Sequence, residues 1–324
     1  MYKQPLSICI LGGSGFVGRH LAARLVKDQH RMTIPTRHPD SAKALKVLPG
    51  VSLAAADCHD PKTLDRLFSK ADLVINLVGI LHEKKDNGKG FHHVHVELVE
   101  KIIASCERCG IRRFLHISAL NAHPTKAPSY YLQSKGEAEE IIHATASEDF
   151  QPTVFRPSVI FGEDDRFLNR FAGIIRRSPY LIPLACAKAR LAPVYVGDVA
   201  EAIARCVGNQ HATVKTFELC GPDEYTLKEL VEYLARLLHK RRKVIGLGKL
   251  SSKLLARILE MLPGKLMSRD NFRSLQVDSL CKINGLDELG IVPHTIEGIL
   301  PQYLAGQTAR RRYDLYRRQP PQHL

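Results

Sequence analysis

The sequence has no tryptophan, few aromatic residues of any kind (6%), and fewer acidic than basic side chains. It also has no run of about 18 uncharged apolar residues, which excludes an ordinary membrane-spanning helix. The few residues before the first apolar segment leave no room for a secretory leader, so we expect none. Eight cysteines scattered over 324 residues are far from a disulfide scaffold. They favour a reducing compartment, and we expect a cytoplasmic protein.

The deficit of acidic residues is largest near the end of the chain. Lys and Arg total 47 against 33 Asp and Glu, and the 85 residues from Lys240 onward contain 16 basic and 7 acidic side chains. Such a basic end suggests an anionic partner, although a solvated basic surface explains it equally well. Nucleic acid is the disfavoured partner, because the basic residues are not interleaved with aromatics and no recognised module appears.

The first half of the chain alternates between short apolar segments and helical patterns. Strands are predicted at 6–11, 31–35, 51–55, 72–77, 113–117 and 152–155, separated by helices that include 91–109 and 130–146. Strands joined by helical crossovers form a parallel sheet. The sequence therefore predicts an α/β fold, a Rossmann-type doubly wound parallel sheet, which binds ligands at the carboxyl ends of its strands.

Beyond the predicted sixth strand the pattern becomes more helical and richer in Pro and Gly. We expect a dinucleotide-binding domain over residues 1–160, with 190–215 returning to it, and a smaller, mostly helical lobe over 161–309. A basic tail at 310–324 is expected to have little structure of its own. Residues 249–262 form a basic amphipathic helix pattern. Such a helix either packs on its own protein or lies in a membrane interface.

A glycine-rich loop follows the first predicted strand and opens the first helix. Its glycines allow positive φ and close approach of main-chain amides to a pyrophosphate, and the helix terminus adds partial positive charge. The position of the loop between a strand and a helix is the context that makes the motif informative. The predicted pyrophosphate cradle consists of Gly12, Gly13, Ser14, Gly15, Phe16, Val17 and Gly18.

The residues after the second and third strands bear on which dinucleotide binds. The place where an acidic side chain would bond the ribose 2′-hydroxyl of NAD contains Arg37 and no carboxylate. A guanidinium suits a 2′-phosphate, so we expect NADP(H) rather than NAD(H), with help from Arg19. Arg37 can also be an ordinary surface arginine. Asp57 either accepts a hydrogen bond from the adenine amino group or caps its own loop. Val78 and Gly79 follow the fourth strand, where backbone can approach the cofactor.

Tyr131 and Lys135 form a YxxxK motif near the start of a predicted helix. The spacing of four puts both side chains on one helical face. We expect the lysine cation to lower the pKa of Tyr131, so that the phenol can exchange a proton with a carbonyl or an alcohol. We expect Lys135 also to hold the nicotinamide ribose. Pro157 after the sixth strand completes the expected cofactor contacts.

These motifs together resemble the extended and atypical short-chain dehydrogenases/reductases. The likeness sharpens toward one branch of that family, the nucleotide-binding accessory subunits of respiratory complex I and their bacterial relatives. It covers nearly the whole chain, about residues 8 to 303. The stretches that carry it are HISALNA at 116–122, FGEDDRFLNRFA at 161–172, PVYVGDVA at 193–200 and GLDELGI at 285–291.

The resemblance implies a tightly held NADP(H) in a protein that need not turn over. It implies a partner among respiratory or quinone-synthesis complexes and a peripheral position at the inner face of the cytoplasmic membrane. The basic end of the chain adds an anionic membrane surface to the expected partners. A third catalytic member, Ser118, lies one or two residues earlier than the usual Ser or Thr, so proton transfer would be poorly oriented. The alternative is an active NADPH-dependent reductase or epimerase on a quinone-like or isoprenoid substrate, using Tyr131 and Lys135.

Two further clusters, one of cysteines and one of histidines, do not indicate a functional site by themselves. Cys106 and Cys109 form a lone CxxC without a second pair of ligands, so we expect packing thiols rather than zinc. His92, His93 and His95 lie near the start of a predicted helix, and we expect capping or cofactor-side polar contacts from them. The sequence predicts no metal site.

Overall fold

Strands and helices alternate through the first half of the chain, as the sequence predicts. The computed structural model describes residues 4–83, 85–208, 214–248, 251–252, 255 and 268–305. The strands are β1 (Ser7–Leu11), β2 (Arg31–Thr36), β3 (Val51–Ala55), β4 (Leu73–Asn76), β5 (Arg113–Ile117), β6 (Gln151–Pro157), β7 (Ile160–Phe161), β8 (Leu181–Leu184), β9 (Arg190–Leu191), β10 (Val194–Tyr195), β11 (Lys215–Leu219), β12 (Tyr225–Thr226) and β13 (Lys243–Gly246).

Twelve α-helices accompany these strands in the described part of the chain. Several are single turns. Their bounds are α1 (Phe16–Val26), α2 (Lys43–Lys46), α3 (Pro61–Phe68), α4 (Lys89–His92), α5 (Leu98–Cys109), α6 (Tyr130–Ala144), α7 (Leu168–Arg177), α8 (Val196–Val207), α9 (Leu227–Leu237), α10 (Arg269–Ser274), α11 (Gly285–Glu288) and α12 (Ile296–Leu300).

The central sheet has seven strands in the order β11-β6-β5-β4-β1-β2-β3, and every neighbouring pair is parallel. The order reverses between β1 and β4, because the chain first builds outward through β2 and β3 and then crosses back. At such a reversal the connecting loops leave in opposite directions and open a crevice at the carboxyl ends of the strands. The predicted fold class, a doubly wound Rossmann-type sheet, is confirmed.

Apolar side chains on both faces of the sheet explain why it is covered by helices on both sides. All four residues of β4 are buried, as expected for a parallel strand in the middle of a sheet. Helices α1 and α8 pack on one face, and α3, α5 and α6 pack on the other. Each fully buried Leu or Ile in these layers contributes roughly 1.5–3 kcal/mol. This packing fixes the strand ends that carry the site.

The seventh strand comes from late in the chain. β11 pairs with β6 in register from Lys215 against Thr153 to Leu219 against Pro157. The range 190–215, which we expect to belong to the first domain, contains α8 and the first residue of β11.

The long helix predicted over 91–109 is interrupted by one wide turn. α4 continues through a π-helical turn at His93–Glu97 into α5. Such turns are rare and occur often at functional sites, because the extra residue redirects side chains. Here the turn contains His95, which is buried.

Beyond β6, the helices are joined by three two-stranded pairs, β7 with β10, β8 with β13, and β9 with β12. A second apolar core forms between α7, α9, α12 and these strands. The pairs join segments far apart in the chain, so local periodicity gives no sign of them.

Cys220 and Cys281 form a disulfide with Cα atoms 6.0 Å apart. The expectation of scattered, reduced thiols is therefore wrong for this pair, which lies 61 residues apart in the sequence and meets only through the fold. Cys106 is a buried packing thiol and Cys109 a half-buried one, and neither is bonded to the other.

Within the described residues, every helix is too short or too polar to cross a bilayer. The predicted helix at 249–262 and the tail at 310–324 lie largely or wholly outside those residues.

Candidate dinucleotide site

The glycine loop needs its glycines for steric reasons. Gly12 has φ +74°, and a Cβ there would lie 2.8 Å from the main-chain carbon of Leu77. A Cβ on Gly18 would lie 2.4 Å from the Cα of Gly13. Because real Cβ atoms do not approach other atoms so closely, side chains at these two positions would force the loop away from β4 or the helix away from the loop. The sequence therefore folds this loop tightly over the ends of β1 and β4.

The start of α1 lacks any capping side chain. Its N-cap residue is Gly15, which is exposed and has no side chain that could accept a hydrogen bond from the first-turn amides. The first-turn amides of a helix have no partner within the helix, and together with the helix dipole they form an anion site. This uncapped terminus beside the glycine loop fits the diphosphate bridge of a dinucleotide.

Arg19 joins this loop to the segment that follows β7. Its Nη2 lies 2.9 Å from Oδ2 of Asp164, and its Nη1 donates to the main-chain oxygen of Ser14 at 3.3 Å. The structure therefore places the guanidinium against the glycine loop and against the segment that follows β7.

Arg37 and Asp57 lie at the ends of neighbouring strands. Thr36 and Ala55 are register partners, and the amide of Ala56 donates to the oxygen of Thr36 at 3.2 Å. The side chain of Arg37 is exposed, and among the described residues no carboxylate pairs with it. Asp57 accepts a hydrogen bond from the amide of His59 at 3.0 Å, which is the loop-capping role that the sequence left open. An unpaired guanidinium here fits a 2′-phosphate.

The end of β4 approaches the lysine. Asn76 is buried and accepts a hydrogen bond from the amide of Val78 at 3.0 Å, which turns the chain sharply. A Cβ on Gly79 would lie 3.5 Å from Nζ of Lys135 and 3.6 Å from Nε2 of His95. Gly79 therefore borders the lysine of the YxxxK motif.

Lys135 reaches the end of β5 next to Ser118, and Tyr131 lies one turn before Lys135 at the start of α6. Nζ of Lys135 donates to the main-chain oxygen of Ile117 at 3.0 Å, and the residue is 2% exposed. Ser118 is also 2% exposed, and its hydroxyl has no hydrogen-bond partner among the described residues. A buried hydroxyl without a partner is uncommon and indicates that something else completes it.

Pro157 closes the same region at the end of β6. Its carbonyl oxygen accepts the amide of Leu120 at 3.1 Å, which ties the segment after Ser118 to this strand. Together, an uncapped helix terminus, a glycine cradle, an unpaired guanidinium and an unpartnered hydroxyl fit a nicotinamide dinucleotide laid across the sheet edge.

Comparison with known proteins identifies the family. The model of the NAD dependent epimerase/dehydratase family matches residues 8–220. The chain belongs to this family. Its relatives include the NADH dehydrogenase [ubiquinone] 1 alpha subcomplex subunit 9 of Arabidopsis thaliana mitochondria, 28% identical over 312 residues, which are 91% of this chain and 76% of the relative. This confirms the predicted resemblance to complex I accessory subunits.

Two further likenesses extend the picture. A ceramide reductase of Caulobacter vibrioides is 27% identical over 241 residues, 74% of this chain and 73% of the relative. Among solved structures, an NADPH-dependent quinone oxidoreductase from Escherichia coli superposes with a TM-score of 0.71 at 15% identity. The superposition covers 92% of this chain and 98% of that one. This structural likeness shows the fold alone.

The pKa values in the family's tyrosine–lysine pair differ from the sequence prediction. Burial lowers the pKa of Lys135 to about 8, opposed in part by the Glu139 carboxylate. Burial raises the pKa of Tyr131 to about 12, and the Asp270 carboxylate adds to the rise. The prediction that the lysine lowers the tyrosine pKa is therefore wrong for the protein alone. Desolvation disfavours the charged form of each group.

Asp270 is a site residue that sequence reasoning missed. Its Oδ1 accepts the amide of Tyr130 at 2.8 Å and its Oδ2 accepts the amide of Tyr131 at 3.1 Å. The carboxylate therefore caps α6 from a helix 139 residues away. Nothing local to the YxxxK motif could have indicated it. Its neighbour Arg273 also donates to Asp86 at 2.9 Å, which ties α10 to the segment after β4.

His95 is the one member of the histidine cluster that reaches the site. Its Nε2 accepts the amide of Ile80 at 3.1 Å, and its Nδ1 lies 2.8 Å from Oγ of Ser134. Its ring meets that of Tyr131 edge-on, with centroids 5.6 Å apart. His93 instead pairs with Glu97. Among the described residues, no cluster of side chains is able to hold a metal ion.

Proposed function

We propose that this chain is an NADP(H)-binding accessory or assembly factor of a respiratory or quinone-synthesis complex, held peripherally at an anionic membrane surface. The bound nucleotide is mainly structural or redox-sensing. The relatives in mitochondrial complex I support the partner class. A nicotinamide dinucleotide, when bound, supplies hydride-transfer chemistry, but the accessory role does not require turnover.

The observation that carries this proposal is that the second lobe contacts both ends of the candidate site. Asp164 pairs with Arg19 beside the glycine loop, and Asp270 caps the helix that carries Tyr131. A nucleotide lying between these contacts would bind both lobes at once. Its binding energy would then stabilise their arrangement, as any ligand that binds only the folded state does.

Native mass spectrometry of protein purified without added nucleotide tests this proposal. We expect one NADP(H) per chain, and an unfolding temperature that falls when the nucleotide is removed and recovers when NADP(H) is added. A protein that is isolated empty and takes up neither NADP(H) nor NAD(H) would contradict the proposal.

The second candidate function is an active NADPH-dependent reductase on a quinone-like or isoprenoid substrate. The observation that favours it is that Lys135 reaches the main chain beside Ser118, one helical turn from Tyr131, and that the serine hydroxyl has no partner among the described residues. Tyr131, with its raised pKa, would act as the proton donor, since a phenol that stays protonated at neutral pH is suited to protonate a carbonyl oxygen.

Consumption of NADPH in the presence of short-chain quinones separates the two functions. The reductase predicts turnover that Tyr131→Phe reduces by at least about 100-fold. The accessory role predicts no turnover for either protein, and full retention of nucleotide by Tyr131→Phe. Turnover that survives Tyr131→Phe excludes the mechanism with Tyr131 as donor.

A further inference from the structure

The outer face of the β8–β13 pair exposes apolar side chains in a row. Leu181 is 52% exposed and Ile245 is 41% exposed, and Tyr180, just before β8, is 76% exposed. The pairing of Lys243 with Leu181 and of Ile245 with Pro183 puts these four strand residues on one side of the ribbon. The alternate residues Ile182, Leu184 and Val244 are buried. The ribbon therefore carries apolar side chains on its exposed side as well as on its buried side, which is unusual for a surface that faces only water.

Helices cover only the inner side of this ribbon. Its buried residues belong to the core formed with α7 and α9. Among the described residues, no element covers the outer side. Single exposed apolar residues are normal on a protein surface, but a row of them marks a possible interaction surface. We call this outer side the ribbon face; it consists of Tyr180, Leu181, Pro183, Lys243 and Ile245.

Cations border the ribbon face at the end where β8 and β13 begin. Arg176 and Arg177 end α7 just before β8, and both are exposed. Lys240 and Arg241 lie in the turn between α9 and β13 and are exposed as well. The amide of Lys243 donates to the oxygen of Tyr180 at 2.9 Å, which brings that turn against the start of β8. Two basic segments therefore meet at one end of the ribbon face.

Carboxylates are absent from both segments. The sequence contains no Asp or Glu between Asp165 and Asp198, and none between Glu232 and Glu260. The acidic residues of α9 are engaged elsewhere: Glu229 bonds Thr226 at the amino end of the helix, and Glu232 pairs with Lys228. Within the described part of the chain, Arg176, Arg177, Lys240, Arg241 and Lys243 have no carboxylate within ion-pair distance. The positive potential at this edge is therefore uncompensated.

We propose that the ribbon face is a docking surface for an anionic phospholipid bilayer. An exposed aromatic ring and aliphatic side chains, flanked by Arg and Lys, match a membrane interface. There the apolar groups enter the headgroup region while the cations bind lipid phosphates. The inference deepens the peripheral attachment in the proposed function and rests on it, but it does not depend on which nucleotide is bound.

Vesicle flotation with the full-length protein tests this surface. We expect the protein to float with vesicles that contain one quarter phosphatidylglycerol in phosphatidylcholine, and not with phosphatidylcholine alone. We expect about 0.5 M salt to release most of it, because screening at that ionic strength weakens contacts with lipid phosphates. The triple variant K240Q/R241Q/K243Q should bind the anionic vesicles at least about tenfold more weakly, since each cation near the surface contributes measurably.

A matched control removes the same charge from another surface. K62Q/R66Q/K70Q changes three exposed cations around α3, and it should bind as the unaltered protein does. The apolar part of the surface is tested by L181S/I245S against V47S/I283S, since Val47 and Ile283 are 82% and 69% exposed. We expect the first pair to weaken binding severalfold and the second to leave it unchanged.

Three outcomes would overturn the inference. These are no flotation of the unaltered protein, equal losses in both triple variants, or binding only to native membranes that protease treatment abolishes. The last would indicate an acidic protein partner instead of lipid. Circular dichroism confirms that each variant is folded. Native mass spectrometry of the nucleotide content then separates failure of this surface from failure of the proposed function.

Discussion

The two ends of the candidate site are built in different ways. The glycine-loop region, residues 12–18, is made from consecutive residues whose main chain we propose as the diphosphate cradle. The tyrosine–lysine region brings Ser118, Tyr131 and Lys135 together with Asp270 and His95, and Asp270 follows Tyr131 by 139 residues. The first depends on local backbone geometry and the second on long-range packing. Changes at the first should therefore affect binding most, and changes at the second should affect pH dependence and stability.

Gly12→Ala should have the largest effect. The Cβ would lie 2.8 Å from main chain of the neighbouring strand at a residue with φ +74°. We expect loss of bound nucleotide and destabilisation of about 1–3 kcal/mol from backbone strain. Native mass spectrometry and thermal unfolding measure the two effects. Gly173→Ala, where a Cβ meets nothing within 4 Å, is the control and should retain the nucleotide. Full nucleotide content in Gly12→Ala would show that this loop is not the cradle.

Lys135→Met should change how stability depends on pH in the nucleotide-free protein. The pKa of Lys135 is lowered to about 8 in the folded state, against about 10.4 when unfolded. The unfolded chain therefore binds more protons between these values, so the unfolding free energy gains from this group as pH rises through that window. Below pH 8 the free-energy cost of burying the protonated lysine has its full size.

Urea unfolding at pH 7.5 and 9.5 measures this contribution. Relative to Lys135→Met, the unaltered protein should gain about 1–2 kcal/mol between the two pH values. The comparison stays below the pKa of Tyr131, which is raised to about 12, so that group contributes little. Parallel curves for the two proteins would mean that Lys135 titrates as an ordinary exposed lysine.

Arg37→Ala tests the end of the candidate site where we expect the adenosine to bind. The guanidinium is exposed and unpaired within the described chain, so its removal should cost only a ligand contact. We expect NADP(H) to bind about 10–30-fold more weakly, consistent with the loss of a charge-assisted contact, and NAD(H) to bind nearly as before. Titration calorimetry with both nucleotides checks this. Equal losses for the two would contradict a 2′-phosphate role.

Asp270→Asn should have a modest effect, confined to the tyrosine–lysine region. The amide keeps the size of the side chain but loses one acceptor and the charge at the helix terminus. We expect the unfolding free energy to fall by about 1–2 kcal/mol, as for the loss of an N-cap. Asp278→Asn, which removes an exposed carboxylate bonded to the amide of Arg190, is the control for charge alone. An equal loss in both would show that the α6 cap is not special.

The parts of the fold that could be predicted are those with a local cause. Three consecutive apolar residues, Leu73 to Ile75, indicate β4, and a glycine string between a strand and a helix indicates the cradle, because both effects act within a few residues. β11 could be predicted less well, because its partner β6 is some 60 residues earlier in the chain. The lowered pKa expected for Tyr131 was wrong because the degree of burial cannot be read from a spacing of four.

The sequence alone determined the fold class, the tight glycine loop, the spacing of the tyrosine–lysine pair and the basic character of the chain's end, since each follows from periodicity, steric need or composition. Only the tertiary structure decided that Asp270 caps α6, that Cys220 joins Cys281, and that cations and apolar side chains share the ribbon face. These features arise from contacts between residues distant in the chain. Their free energy depends on burial and relative position, which no local pattern encodes.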